Sequence, residues 1–557
     1  MTVADRLLIG RVVALDDAGT EAEAIALRGD RVLAVGSVAE LSALRSGRTE
    51  VHDFAGATII PGFNDTHAHL DSVGLARLRP SLDAARSIAD IVQVVRGLAR
   101  ITPPGQWIVT TPVGRSPFYF DPPSALAERR MPNRHDLDAA APDHLVCISA
   151  PSGYWGQPPC YTALNSRALQ LNGIDRNRQP SVAGVEIERD AAGEPTGVII
   201  DRNYPESALL DLLPAVPRFT ADERREAVRQ AQPIYHAFGT TSIYEGHGCA
   251  PVVIAQYREL HELGQLSMRT GLVVNPVIRS IEDARRMFAD WLPHARGSGI
   301  GDATLRVTGI HVPFGGDPTV AALAARDPTD VSWSGYVKQA FSPPQFEALA
   351  MLAAQHGLRL HTVASDRVDE ILPILERVDA AYPLAGRRWV LEHLSRTRPE
   401  SIARIRRLGL LVTVIPAYHV WKVGDRYRSL DEQAQQGVVP VRQLLDAGVP
   451  VAAGTDAVPA DPLFTVWAMV TRATRGSAAP LGAAARLDVE RALRLMTVAG
   501  AALTYDEQRK GPLAPGYFAD LTVLSEDPRV VEVDRIPQLR RIATMVGGRF
   551  VAGEPAD

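Results

Sequence analysis

PGFNDTHAH occupies residues 61–69 of the chain, directly after the apolar run Thr58-Ile59-Ile60. In an extended backbone alternate side chains point the same way, so His67 and His69 can converge on one ion. Imidazole is a natural ligand for zinc and similar first-row metals. A single His-x-His pair in a chain with 14 histidines is weak evidence for a metal site. Other parts of the chain must therefore supply further ligands.

Apolar runs of strand length alternate with amphipathic helical stretches through the middle of the chain, a pattern typical of repeated βα units and a parallel sheet. Eight such runs predict an α/β fold, a (β/α)₈ TIM barrel, whose catalytic groups come from the carboxyl ends of the strands. The runs are 58–60, 240–244, 269–274, 305–312, 358–362, 388–391, 410–415 and 449–453.

The two ends of the chain share a different pattern, in which short β-branched runs are separated by tight turns. We expect residues 1–60 and 505–557 to form one small β-sandwich domain, with the barrel spanning 61–504. Between the first and second barrel strands, about residues 71–238 are too many for one helix, and a long unstructured loop is uncommon. The sequence therefore predicts an inserted subdomain after strand 1, covering the barrel mouth.

Three further strand ends carry side chains that can bind metal. His361 ends the fifth predicted strand, His393 follows the sixth and Asp456 follows the eighth. A satisfied core histidine or a capping aspartate would explain any one of them. Because all three fall where a barrel places its active site, the set predicts a metal site built from several strand ends.

The chain resembles the amidohydrolase superfamily, specifically its YtcJ-like (amidohydrolase 3) branch, which includes N-substituted formamide deformylases. The resemblance covers nearly the whole chain and implies a divalent metal, zinc above all, as one or two ions. It also implies a metal shell of His67, His69, His361, His393 and Asp456, with Asp65 orienting an imidazole. The segments that carry it are PGFNDTHAHL (61–70), AGVEIERDAAGEPTGVIID (183–201), LHTVASDR (360–367), EHLSR (392–396), GTDAVP (454–459) and GPLAPGYFADLTVL (511–524).

The end of the fourth strand departs from this superfamily pattern. Many members with paired metals carry a carboxylated lysine there, whereas this chain has His311, and its three lysines, Lys338, Lys422 and Lys510, lie elsewhere. His311 is therefore a metal ligand, a substrate contact or a residue of the pocket wall, and the number of metal ions stays open.

Several other polar and aromatic residues are candidates for substrate binding. Glu245 and His247 follow the second strand and either face the site or form hydrogen bonds within the loop. His419, after the seventh strand, either contacts substrate or packs. Tyr154 and Trp155 of the insert suggest a partly hydrophobic substituent, although such side chains more often belong to a core.

These residues predict a metal-dependent hydrolase that cleaves a non-peptide C–N bond in an amide, an N-substituted formamide or an N-acyl amine. Asp456 would move the proton of a metal-activated water, and His393 or His311 would stabilise the oxyanion. One alternative is an aminohydrolase that deaminates a heterocycle. Another is a catalytically silent scaffold, because fold alone does not guarantee function.

Composition narrows the class of partner. The formal charge of −5 over 557 residues leaves no basic face for nucleic acid and no cationic stretch for a membrane surface. Asp5 and Arg6 stand where a signal peptide needs an apolar core, and no apolar run reaches the length of a membrane span. We expect a cytoplasmic protein with a small-molecule substrate, no nucleic-acid or membrane partner, and a homodimer as one option for its assembly.

Overall fold

A computed structural model describes residues 3–151, 153–203 and 206–553, so the end of the predicted C-terminal segment, residues 554–557, lies outside the described residues. The chain divides into two compact units. The first comprises Met1–Leu70, Arg229–Gly315 and Phe341–Asp557, and the second comprises Asp71–Val228 and Gly316–Ala340. The second unit thus joins two separate stretches of the chain, and the predicted domain bounds, with an insert over about residues 71–238, remain a prediction.

The strands are numbered in chain order through the described residues. They are β1 (Arg6–Val13), β2 (Glu21–Arg28), β3 (Arg31–Gly36), β4 (Glu50–Pro61), β5 (Phe63–Asp65), β6 (Trp107–Thr110), β7 (Leu145–Ile148), β8 (Cys160–Leu164), β9 (Val185–Arg189), β10 (Pro195–Asp201), β11 (Thr240–Cys249), β12 (Arg269–Val274), β13 (Ile300–Gly301), β14 (Leu305–His311), β15 (Leu360–Val363), β16 (Val390–Glu392), β17 (Leu411–Val414), β18 (Val451–Ala453), β19 (Leu521–Leu524), β20 (Arg541–Val546) and β21 (Arg549–Ala552).

The α-helices are numbered in the same way. They are α1 (Val38–Ser42), α2 (Leu70–Leu78), α3 (Ile88–Ala99), α4 (Pro122–Ala125), α5 (Arg134–Ala140), α6 (Ser166–Leu171), α7 (Ser207–Leu212), α8 (Ala221–Ala237), α9 (Pro251–Glu262), α10 (Ile281–Asp290), α11 (Pro318–Ala324), α12 (Pro343–Gln355), α13 (Val368–Ala381), α14 (Pro399–Arg407), α15 (Glu432–Gln436), α16 (Val441–Asp446), α17 (Pro462–Thr471) and α18 (Val489–Thr497). Short 3₁₀ turns and one π-helical turn, Ala417–Lys422, complete the helical segments of the described residues.

A parallel barrel sheet forms the centre of the first unit, which confirms the predicted TIM-barrel fold. Its strands run in the order β5, β11, β12, β14, β15, β16, β17 and β18, and β13 pairs antiparallel with β14 at the side. The core lies between these strands and the helices outside them, for example where Phe346 and Leu349 of α12 pack in one cluster with Ile310 and Leu360.

The first barrel strand differs from the predicted one. Residues 58–60 belong to β4, where Thr58 pairs with Leu524 of β19, whereas the barrel begins with β5 two residues after β4 ends. Gly62 alone separates the two strands. The long apolar run therefore joins the sheet domain, and a buried three-residue strand with two polar side chains enters the barrel.

The two ends of the chain meet in one seven-stranded sheet, ordered β21-β20-β19-β4-β1-β2-β3. Strand β4 is central to it, because it pairs in parallel with β1 and antiparallel with β19. Leu8 and Ile59 from the first part of the chain share a hydrophobic core with Leu521 and Val523 from the last. Both termini thus contribute to one β domain, as the sequence predicts.

The second unit contains a five-stranded sheet, ordered β6-β7-β8-β10-β9. Neighbouring residues of β10 enter different cores, since Val198 packs in a cluster with Ile91 of α3 and Ile199 packs in a cluster with Leu212 of α7. Alternate side chains of a strand point to opposite faces, so this sheet is covered on both sides.

Buried Arg472, at the end of α17, ties together two loops of the first unit. Its guanidinium donates hydrogen bonds to the carbonyl oxygens of Val438, Val439 and Leu481.

Across the described residues, helices long and apolar enough to cross a membrane are absent.

Candidate metal centre

The loop after β5 forms backbone hydrogen bonds with β11 on one side and with the loop after β18 on the other. The amide of Ala68 donates to the carbonyl of Tyr244 on β11, and the amide of Asp456 donates to the carbonyl of His67 over 2.7 Å. The loops that follow the first and last barrel strands therefore meet at this end of the sheet. Their ligand side chains are brought together by backbone hydrogen bonds.

His67, His393 and Asp456 form the centre of the site. All three are buried, and they offer ligand atoms that lie within 4.8 Å of one another. Nε2 of His67 and Nε2 of His393 are 2.7 Å apart. His69 lies beside them, with its Nε2 3.1 Å from Oδ1 of Asp456. Four of the predicted ligands thus converge at the carboxyl ends of the first, sixth and eighth barrel strands.

Two of these residues have a backbone conformation that side chains with a Cβ rarely adopt. His393 has a φ of 55° and Asp456 a φ of 53°, both in the left-handed region. Such a conformation costs about 1–3 kcal/mol for a residue other than glycine and is found disproportionately at functional sites. At both positions the strained turn directs the side chain of a predicted ligand into the cluster.

The electrostatics of the cluster favour metal binding. Burial and the neighbouring imidazoles lower the pKa of His67 and of His393 well below the ordinary value. Both rings are therefore neutral near pH 7, the form of imidazole that binds metal. Burial raises the pKa of Asp456, against the opposing effect of its contact with His69.

Glu245, on β11, holds His69 in place. It is buried, and its carboxylate accepts hydrogen bonds from the amide of Leu70 (2.8 Å) and the hydroxyl of Tyr257 (2.6 Å) while lying 3.2 Å from Nδ1 of His69. Against the opposing effect of burial, hydrogen bonds to Asp456 and Glu245 raise the pKa of His69 well above its ordinary value. With a carboxylate on Nδ1, Nε2 is the ring nitrogen that can give up its proton and offer a lone pair to a metal. Glu245 thus contacts the ring of His69, and its predicted role toward substrate remains a prediction.

Asp65 contacts backbone groups and a hydroxyl instead of an imidazole ring. Its carboxylate accepts hydrogen bonds from the amide of His67 (3.2 Å) and from the amide and hydroxyl of Thr455 (2.8 and 2.5 Å). Burial raises its pKa to about 7. It joins the loops after the first and last barrel strands and contacts His67 through the backbone amide, while its predicted role in orienting an imidazole remains a prediction.

His361, at the end of β15, lies apart from the two groups of potential ligands that the described residues form. Its Nδ1 is 2.9 Å from Oε1 of Glu392, and its Nε2 is 3.2 Å from the hydroxyl of Tyr244. Burial raises the pKa of Glu392 and lowers that of His361, so the pair favours its neutral form. Both ring nitrogens thus face protein groups, and the predicted metal role of His361 remains a prediction.

His311 and His419 lie at the edge of the cluster. Nδ1 of His311 is 3.4 Å from the side-chain amide of Asn275, and burial lowers its pKa to about 3. The ring of His419 is 6.2 Å from that of His393, on the π-helical turn after β17, and burial lowers its pKa to about 3 as well. Turns of this rare kind occur frequently at functional sites.

His247 is one of the residues at this site whose role the sequence left open. Its ring is 4.5 Å from those of His67 and His393 and 4.9 Å from that of His69. It offers a ligand atom within 4.8 Å of those of His67 and His69. The signal was present, because Glu245 and His247 alternate along β11 in the same way that His67 and His69 alternate after β5.

The two aromatic residues expected to bind substrate belong to the second unit. Tyr154 and Trp155 lie on a 3₁₀ turn, Gly153–Trp155, where Trp155 is buried and Tyr154 is half-buried. The carbonyl of Trp155 accepts a hydrogen bond from the amide of Tyr119. Their role toward substrate stays a prediction.

The clustered residues fit a divalent metal. Two neutral imidazoles whose Nε2 atoms face each other at 2.7 Å repel unless a proton or a cation lies between them. Oδ2 of Asp456 and Nε2 of His311 are buried without a hydrogen-bond partner among the described residues. Buried polar atoms of this kind call for an unseen partner, and imidazole nitrogens with a carboxylate oxygen are a donor set that suits zinc.

Comparison with known proteins confirms the resemblance to the YtcJ-like branch. The model of the amidohydrolase family matches residues 50–552. The putative amidohydrolase YtcJ of Bacillus subtilis is 25% identical over 557 residues, covering 97% of this chain and 98% of that protein. The N-substituted formamide deformylase of Arthrobacter pascens is 26% identical over 567 residues, covering 98% and 97%. An uncharacterised metal-dependent hydrolase from Pyrococcus horikoshii has a similar fold, with a TM-score of 0.67 at 21% identity, covering 95% and 99%. The chain therefore belongs to the amidohydrolase family.

Proposed function

We propose that this protein is a metal-dependent hydrolase of small molecules that cleaves a non-peptide C–N bond in an amide, an N-substituted formamide or an N-acyl amine. The observation that carries the proposal is the convergence of His67, His393 and Asp456 at the carboxyl end of the barrel. Family membership and the deformylase from Arthrobacter pascens support the class of bond.

The metal would be held by His67, His69, His393 and Asp456, with His361 and His311 as further predicted ligands. We propose zinc, as one or two ions, because neutral imidazoles with a carboxylate are ligands that zinc accepts readily. When bound, such an ion lowers the pKa of water toward neutrality and polarises a carbonyl group.

Asp456 is the proposed general acid and base. Its Oδ1 is engaged with His69, whereas its Oδ2 has no hydrogen-bond partner among the described residues and can take up a proton. Because burial raises the pKa of Asp456, its carboxylate holds a proton more readily than an exposed one. It would accept the proton of the attacking water at Oδ2 and donate it to the departing nitrogen. His393 would act on the negative charge of the carbonyl oxygen through the ion that it helps to hold.

The test combines metal analysis with a substrate panel. Elemental analysis of the purified protein should find one or two equivalents of zinc, and a panel of N-substituted formamides, N-acyl amines and aminated heterocycles should locate the reaction. Asp456→Asn should lower turnover by about 10²–10⁴-fold, the usual contribution of general acid–base catalysis. Asp431→Asn is the matched control, because Asp431 is an exposed residue that caps the start of α15.

The outcomes separate the candidate functions. Hydrolysis of an amide or formamide that depends on metal and on Asp456 supports the proposal. Release of ammonia from heterocycles alone would replace it with the aminohydrolase alternative. A wild-type protein that neither contains nor takes up metal would leave a scaffold as the better explanation.

A further inference from the structure

The Gly-His-Gly sequence at residues 246–248, near the end of β11, brings the backbone close to the proposed metal ligands. A Cβ atom on Gly246 would lie 2.4 Å from Nδ1 of His67, and one on Gly248 would lie 2.7 Å from Cβ of His311. Gly248 also has a φ of 76°, which side chains with a Cβ rarely adopt. The two glycines therefore permit a close approach that larger residues would block, and His247 lies between them.

His247 is surrounded by the rings of the proposed metal ligands. Its ring is nearly parallel to those of His393 and His69, at interplanar angles of 18° and 22°, and nearly perpendicular to that of His67. Its ligand atom lies within 4.8 Å of the ligand atoms of His67 and His69. Zn–N bonds of about 2.1 Å place tetrahedral ligands about 3.4 Å apart, so modest side-chain movement brings these atoms onto one ion.

His361 lies outside this group of rings and is held by protein groups. Each of its ring nitrogens faces a buried protein group, Oε1 of Glu392 at 2.9 Å and the hydroxyl of Tyr244 at 3.2 Å. The Tyr244 hydroxyl is in turn 2.6 Å from Oγ1 of Thr308. Turning His361 toward the metal would break these contacts and leave buried polar groups unpaired, which is unfavourable.

We propose that His247, from the second barrel strand, coordinates the divalent metal in the position that His361 was expected to fill. This inference rests on the proposed metal-dependent function and adds a ligand to it. His361 then acts from outside the metal shell, through its contact with Glu392. Metal binding depends on His247 directly and on His361 only indirectly.

A cysteine in place of the histidine gives a direct spectroscopic test. Cobalt-loaded His247→Cys should show a thiolate-to-cobalt charge-transfer band in the near ultraviolet, because only a bound sulfur gives that band. Cobalt-loaded wild type, which contains the three buried cysteines Cys147, Cys160 and Cys249, provides the baseline. His361→Cys should give the wild-type spectrum. Absence of the band in His247→Cys together with its presence in His361→Cys would overturn the inference.

Metal affinity provides the second readout, measured by competition with a chelator for Zn²⁺. Structural zinc sites draw on about four ligands, so losing one should weaken binding by at least about 100-fold in His247→Gln. His361→Gln should weaken it by only about tenfold, the lower end of the range for a group outside the metal shell. His236→Gln, at a buried histidine bonded to Thr240 and Ser267, is the control and should bind as wild type does.

Circular dichroism of each metal-free variant shows whether it is folded. Unchanged zinc affinity in a folded His247→Gln variant overturns the inference while the metal-dependent function stands. A wild-type protein that binds neither Zn²⁺ nor Co²⁺ overturns both together.

Discussion

Replacing Glu245 by glutamine exchanges one oxygen of a buried carboxylate for an amino group. In the wild type Oε1 accepts from Leu70 and Tyr257, and Oε2 lies on Nδ1 of His69. If the glutamine keeps its oxygen toward Leu70, its amino group faces Nδ1 and favours the His69 tautomer that carries its proton on Nε2. That tautomer presents a proton to the cluster in place of a lone pair.

The opposite orientation of the glutamine is also unfavourable. Its amino group would then face the amide of Leu70, leaving a buried donor unpaired at about 1–3 kcal/mol. The first orientation weakens metal binding directly, and the second preserves the His69 tautomer only at the cost of that unpaired donor. We therefore expect metal binding to weaken by about 10–100-fold, the range for residues that orient a metal-bound histidine. This corresponds to about 1.4–2.7 kcal/mol.

Chelator competition on Glu245→Gln measures this loss directly, and thermal unfolding of the metal-free protein reports any structural cost. Tyr257→Phe is the matched control, because it removes one hydrogen bond from Oε1, worth about 1 kcal/mol, and leaves the contact with His69 intact. It should keep metal affinity near that of wild type. Equal affinities for wild type and Glu245→Gln would refute an orienting role for this carboxylate.

Three further predictions follow from buried features of the first unit. Gly246→Ala places a Cβ atom 2.4 Å from Nδ1 of His67, so we expect metal affinity and turnover to fall together, measured by elemental analysis and by the substrate assay. Burial lowers the pKa of His236 from its usual 6.5 to about 4, so between these pH values the unfolded chain binds a proton that the folded chain does not. The free energy of unfolding therefore decreases as the pH falls through this window, by up to about 3 kcal/mol from this group, and urea unfolding of metal-free His236→Gln should show a shallower decrease. Arg472→Leu leaves three backbone carbonyl groups without their donor, and a loss of about 3 kcal/mol or more should appear in thermal or urea unfolding.

Much of the barrel could be predicted from sequence because most of its strands are apolar runs bounded by helical stretches. The first strand could not, because β5 is only three residues long and two of them, Asn64 and Asp65, are polar. The apolar run before it is equally typical of either sheet, and only its pairing with β19 decides between them. Segment Gly316–Ala340 was missed for a related reason, since chain order does not show which unit a segment packs against.

The candidate site shows a similar limit. Alternation and strand ends identify the side chains that reach the top of the barrel, including His67, His393 and Asp456. They do not show that the ring nitrogens of His361 face Glu392 and Tyr244, or that His247 lies with His67 and His69. Spacing likewise could not distinguish a carboxylate that faces a ring, as Glu245 does, from one that binds backbone amides, as Asp65 does.

The central place of β4 in the terminal sheet has a consequence for synthesis on the ribosome. Pro61 pairs with Leu521, which emerges about 460 residues later. At about 5–20 residues per second, that edge of β4 waits for roughly half a minute to a minute and a half before its partner exists. During that time an unpaired strand edge can recruit other chains. Chains that stall or are truncated before β19 should therefore aggregate through β4, even when every barrel strand has been made.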